Sequence, residues 1–86
     1  MNIILSIIDS PFSKELRLSC KEIKTKTDKN GEIVILPNHQ NMIFSISDTT
    51  INITDNEDKT HTINIVGNAI CKIQDNNCVV FGQYSV

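Results

Sequence analysis

No segment of this 86-residue chain carries apolar residues at the spacing of a helix over a useful length. Its apolar residues come in short runs rich in isoleucine, cut apart by Asp, Asn, Gly and Pro. An amphipathic helix needs apolar positions at i, i+3, i+4 and i+7, whereas a half-buried strand needs every second position. Only the second pattern recurs here, and β-branched side chains suit a pleated surface. The expected fold is therefore all-β: one domain, residues 1–86, built as an antiparallel flattened β-sandwich or barrel of about 8–10 short strands.

The strand-like runs fall at 2–8, 12–20, 21–27, 32–36, 42–47, 50–54, 60–66, 69–74 and 78–84. Turn residues separate them. Asp9-Ser10-Pro11 breaks the first run, and Asp28-Lys29-Asn30-Gly31 offers residues that tolerate positive φ. Asp55 to Lys59 forms a charged tip, while Gly67-Asn68 and Asp75-Asn76-Asn77 are expected to close the remaining pairs. Leu16, Leu18 and Cys20 share one parity and Ile23 falls on the other, which places a bulge or corner near Lys21-Glu22. Ile51/Ile53 and Ile63/Ile65 alternate with polar neighbours, so each sheet should have one wet and one dry face.

Several functional classes are disfavoured by composition. The formal net charge is −2, and only 5% of residues are aromatic, with no Trp. There is neither a basic footprint nor a stacking platform for nucleic acid. No apolar run approaches the ~20 residues that span a bilayer. The opening Met1 to Asp9 lacks a basic region and a small-residue cleavage site, so it reads as a strand rather than a signal peptide. Cys20, Cys71 and Cys78 form no CxxC. Reduced, packed thiols are the expectation, with a Cys71–Cys78 bridge across the 75–77 turn as the competing reading.

The search for chemistry yields little. The three glycines are scattered and cradle no phosphate, and neither HExxH nor an EF-hand loop occurs. Asp55, Glu57 and Asp58 crowd one loop beside Lys59, which reads as a solvated hairpin tip rather than a cation site. His61 shares its parity with Ile63, as a partly packed strand histidine would. The stretch Gly31 to Phe44 is more unusual. An apolar run ends in Pro37-Asn38-His39-Gln40-Asn41, and apolar character returns with Met42, Ile43 and Phe44. An active site, a metal ligand and a plain turn all fit at first sight. With no carboxylate or cysteine close in sequence, recognition suits this rigid turn better than catalysis.

Gly31-Glu32-Ile33-Val34-Ile35-Leu36-Pro37-Asn38-His39 resembles the signature of the ε subunit of F-type ATP synthases. That family reads Gly-Glu-apolar-Gly-apolar-apolar-Pro-(Gly/Asn)-His-Ala-Pro. Ser6 to Pro11 resembles the family's opening strand and turn, and Phe12-Ser13 with Glu15 to Ile23 its second strand. Ile63 to Ile73 resembles its apolar-Ser-Gly-Gly segment, and Cys78 to Phe81 its closing strand. The departures are Val34 for glycine, Gln40-Asn41 for Ala-Pro, Asn68 for a second glycine, and Asp28-Lys29-Asn30 for a Gly-rich turn.

The resemblance implies a non-catalytic rotor-stalk subunit without cofactor, in which a stiff sandwich couples c-ring rotation to the γ shaft during proton-driven ATP synthesis. It implies contacts to the c-ring and γ through Glu32, Pro37, Asn38, His39 and Gln40, with Met42 and Phe44 near γ. It places the chain peripherally at the inner membrane of a cell, on the cytoplasmic side, or at an organelle membrane. Family members continue into a C-terminal helical hairpin linked to ATP sensing. The sequence given ends at Val86, so the expectation is a sandwich without that hairpin and without ATP binding. A small all-β protein-binding module of another class is the alternative, and a Cys/His hydrolase or metal-binding domain is a third reading.

Overall fold

The computed structural model describes residues 2–9 and 14–86. Among these residues there are seven strands and no helix: β1 (Ile3–Asp9), β2 (Lys14–Thr27), β3 (Gly31–Ile35), β4 (Met42–Ser47), β5 (Thr50–Asp55), β6 (Thr60–Gln74) and β7 (Asn77–Ser85). The strands run β1-β7-β6-β5-β2, and β1 also pairs with β2, so the path closes on itself. β3 flanks this ring on β2, and β4 flanks it on β6. Every pairing is antiparallel except that of β1 with β7, which is parallel. The all-β sandwich is thus as expected. The turn at Ser10-Pro11 and the start of the 12–20 run lie outside the described residues.

The strands are fewer and longer than the sequence pattern implies, because two expected boundaries are bulges. In β2 the register shifts between Cys20 and Glu22. Before the shift the inward set is Leu16, Leu18 and Cys20; after it, Ile23, Thr25 and Thr27 are buried. One extra residue keeps the core on the inner side while β2 leaves β1 for β5 and β3. The two buried threonines are satisfied: Thr25 Oγ1 donates to Thr50 O at 3.1 Å, and Thr27 Oγ1 donates to Gly31 O at 2.8 Å.

Gly67-Asn68, expected as a turn, is instead the bulge at which β6 passes from β5 to β4. Val66 faces Gln83 and Ile70 faces Phe81, so residues 67–69 stand opposite Gly82 alone. Gly67 has φ +72°, a conformation glycine takes without steric cost. Its N–H donates to Asp48 Oδ1 at 2.7 Å, and its carbonyl accepts from the Asp48 N–H at 3.0 Å. The surplus residues push Ala69 into β7. A Cβ at Gly82 would stand 2.6 Å from Ala69 Cβ.

The core is mostly isoleucine, drawn from every strand: Ile3 and Ile7, Ile23, Ile35, Ile46, Ile51 and Ile53, Ile63 and Ile65, closed by Val80 and Tyr84 of β7. Burying each such side chain contributes about 1.5–3 kcal/mol. The three cysteines are buried and free. Cys71 faces Val80 and Cys78 faces Ile73, so the competing disulfide has no facing pair to form on. Burial pushes the Cys71 and Cys78 thiols up to about 12 and that of Cys20 to about 11.

Candidate functional site

The 36–41 segment is a built turn. The His39 N–H donates to Leu36 O at 3.2 Å, with Pro37 second and Asn38 third at φ +67°. Proline pre-sets the second position of a type II turn, and asparagine tolerates the positive φ of the third. The family motif's Pro-(Gly/Asn) therefore has a backbone reason. A second turn braces the first. The Asn38 N–H donates to Asn76 Oδ1 at 2.6 Å, and the Asp75 N–H to Asn41 Oδ1 at 3.4 Å. Asp75 and Asn76 have φ +51° and +63°, the pair of left-handed residues that a two-residue hairpin turn requires. The Ile4 N–H donates to Asn76 O at 2.9 Å, which ties β1 to the same end of the sandwich.

His39 is half-exposed on this clasp. Its Nδ1 lies 2.9 Å from Gln40 O. A carbonyl only accepts, so Nδ1 carries the proton and donates. Gln40 and Asn38 are exposed and Pro37 is half-buried. Glu32 is not part of this cluster. It lies at the start of β3 opposite Lys26, roughly 16 Å along the strand from Pro37 at ~3.3 Å per residue. Met42 and Phe44 are half-buried against the core. Ile43, between them, is 67% exposed and carries the outward face of β4.

The other singled-out polar residues have structural settings. His61 is more exposed than its parity implied, and its Nε2 lies 2.8 Å from Asp55 Oδ2. Asp55 Oδ1 accepts from the N–H groups of Glu57 and Lys59 at 2.9 and 3.0 Å. The His61 hydrogen bond, helped by the Lys59 N–H, holds the Asp55 carboxyl down at about 2. Lys21 pairs with Asp58 beside it. The tip is thus a hydrogen-bonded and ion-paired network of its own groups with Lys21 of β2 and His61 of β6. Among the described residues no group of three His, Cys, Asp or Glu side chains could hold a metal ion.

Sequence reasoning missed the outer face of the β4-β6-β7-β1 sheet. Ile70 of β6 faces Phe81 of β7, which faces Ile8 of β1. All three side chains point outward, Ile70 and Phe81 at 48% and 50% exposure. Ile43 lies diagonally from Ile70, since Ser45 is the direct partner of Ile70. The signal was present in the runs Met42-Ile43-Phe44, Ala69-Ile70-Cys71 and Val80-Phe81, where both parities are apolar although one face is wet.

The model of the family "ATP synthase, Delta/Epsilon chain, beta-sandwich domain" matches residues 13–84. The chain belongs to this family. Two solved structures share the fold. One is a chain of the Euglena gracilis mitochondrial ATP synthase, in a structure of its OSCP, F1 and c-ring parts. It matches with a TM-score of 0.85 and 14% identity over 98% of this chain and 52% of that one. The other is a chain from the central stalk and c-ring of the Tetrahymena thermophila mitochondrial ATP synthase, with a TM-score of 0.75 and 12% identity over 99% of this chain and 66% of that one. The delta/epsilon-type sandwich here therefore spans between half and two thirds of the chains it matches. No curated protein matches by sequence.

Proposed function

We propose that this chain is a non-catalytic central-stalk subunit of a rotary ATP synthase, transmitting c-ring rotation to the γ shaft during proton-driven synthesis. The observation that carries the reading is the match of the delta/epsilon sandwich model to residues 13–84. The fold of chains from two ATP synthase assemblies supports it. A closed ring of strands around a dense core deforms little, which is what a coupling part needs.

The clasped turn Pro37-Asn38-His39-Gln40 is the proposed c-ring contact. Two mutually hydrogen-bonded turns present His39 with little freedom left to lose on docking. Glu32 is proposed as a separate charged contact further along β3. At an exposed rim such a pair contributes at most ~1 kcal/mol, so it orients the subunit more than it holds it. Met42 and Phe44 support Ile43 from beneath on the γ side. The chain is peripheral to its membrane, held there by its partners. The proposed setting is the cytoplasmic side of a cell's inner membrane, with an organellar membrane as the alternative that the mitochondrial source of both structural neighbours supports.

The test is co-expression with the γ subunit of the same genome. Stable co-purification is expected, and failure to associate with folded γ would sink the stalk reading. His39→Ala and Glu32→Ala should keep the wild-type melting temperature and lower rotation-coupled ATP synthesis in the assembled enzyme. A large drop in melting temperature would make the clasp merely structural.

A further inference from the structure

The outer face of the β4-β6-β7-β1-β2 sheet is ordered in rows set by the strand register. One row reads Ser45, Ile70, Phe81, Ile8, Glu15, with its three central residues apolar. The next row reads Ile43, Lys72, Val79, Ser6, Arg17. An apolar strip thus crosses three adjacent strands, about 10 Å from Ile70 to Ile8 at ~4.8 Å per strand. Lys72 and Arg17 lie along one flank of it. At the β4 end, Lys29 shares a cleft of about 290 Å³ with Ile43, Phe44 and Ile70.

The charge is unusual for this molecule. The chain carries −2 overall, yet cations border the strip and Glu15 is the one acid in those two rows. Lys29, Lys72 and Arg17 take part in no ion pair among the described residues. Three cations outside any ion pair, against the single acid Glu15, border the exposed apolar strip and favour one kind of cover: an apolar ridge with carboxylates on one side. On β6, β7 and β1, which carry the strip, the backbone is paired on both sides, so the strip itself offers side chains; β4 at its end pairs with β6 alone. Its complement is a helix laid on a sheet.

We propose that this face docks an amphipathic helix of the stalk whose apolar stripe, two to three turns long at ~5.4 Å per turn, is flanked on one side by Asp or Glu. The stripe covers Ile70, Phe81 and Ile8. One side chain of the helix enters the cleft under Lys29, and the acidic flank meets Lys72 and Arg17. Charges on one flank alone fix the direction in which the helix can lie. This assignment rests on the stalk reading and specifies which surface the shaft occupies.

The experiment is titration of the purified protein with the γ subunit of the same genome at two salt concentrations. Phe81→Asp and Ile43→Glu should each weaken binding roughly tenfold or more. Both residues are at least half exposed, and an unchanged far-UV spectrum verifies folding. Lys72→Gln with Arg17→Gln should slow association and remove most of its salt dependence. Lys59→Glu on the β5–β6 tip, outside both rows, should bind as wild type. If wild type binds γ and Phe81→Asp and Ile43→Glu bind equally well, this surface assignment is overturned while the stalk reading stands. Salt-independent binding of wild type would overturn the acidic flank. Absence of any wild-type binding would overturn the stalk reading itself.

Discussion

Gly82→Ala is the substitution on which the description of the sheet can be tested most sharply. The new methyl would stand 2.6 Å from Ala69 Cβ and 3.2 Å from Ala69 Cα. Carbon atoms in contact prefer about 3.5–4.0 Å. Neither group can rotate away, because both are fixed to paired backbones. β7 would have to back off from the bulge that its opposite number, residues 67–69, makes in β6. Overpacking of this kind costs about 1–3 kcal/mol, which for a domain of this size is a fall in Tm of roughly 10 °C. Urea denaturation of four proteins would check it: wild type, Gly82→Ala, Ala69→Gly and the double variant. Ala69→Gly alone should cost about 1 kcal/mol through backbone entropy. It also removes the closest clash, so the double variant should be more stable than the sum of the two losses by at least about 1 kcal/mol. A neutral Gly82→Ala, or additive losses, would show that β6 and β7 do not approach as described.

Other consequences follow from local geometry. Asn38→Ala should lower stability by about 1 kcal/mol because alanine dislikes the left-handed region, whereas Asn38→Gly should match wild type in thermal melts. The Asp55 carboxyl is held at about 2 against an ordinary 3.8, so its contribution is present above about pH 4 and is lost as pH falls toward 2. Asp55→Asn should therefore be less stable at neutral pH and show a flatter acid limb below pH 4 in equilibrium unfolding. With thiols pushed up to about 11 and 12 and buried, Cys20, Cys71 and Cys78 should resist a thiol reagent at pH 8. All three should label once urea unfolds the chain, and fast labelling of the native protein would contradict their burial.

Fold class was legible because period-2 alternation survives wherever one face is dry, as in Ile51/Ile53 and Ile63/Ile65, all four of which are buried. The bulge at Lys21-Glu22 was legible too, since inserting a residue flips parity and parity can be read. The bulge at Gly67-Asn68 was not. A glycine at positive φ serves a turn and a bulge alike, and only the partner strand, with Gly82 set against three residues, distinguishes them. Asn38 and His39 stood out as a turn, but their clasp to Asn76 depends on a contact 38 residues away. The outward apolar row escaped notice because Ile70 and Phe81 sit beside buried neighbours in runs that look like plain core.

The parallel pairing of β1 with β7 has a practical side. Ile4 lies beside Asn77, at the start of β7, so the chain enters the sandwich where the Asn38–Asn76 clasp sits, while β7 carries Ser85 away from it. Over its nine residues β7 covers about 30 Å at ~3.3 Å each. A label joined ahead of β1 therefore crowds His39, and one joined after β7 leaves that end open. The same fluorescent protein placed ahead of β1 or after β7 would act as a steric ruler for the proposed ring contact, blocking it from the first side and sparing it from the second.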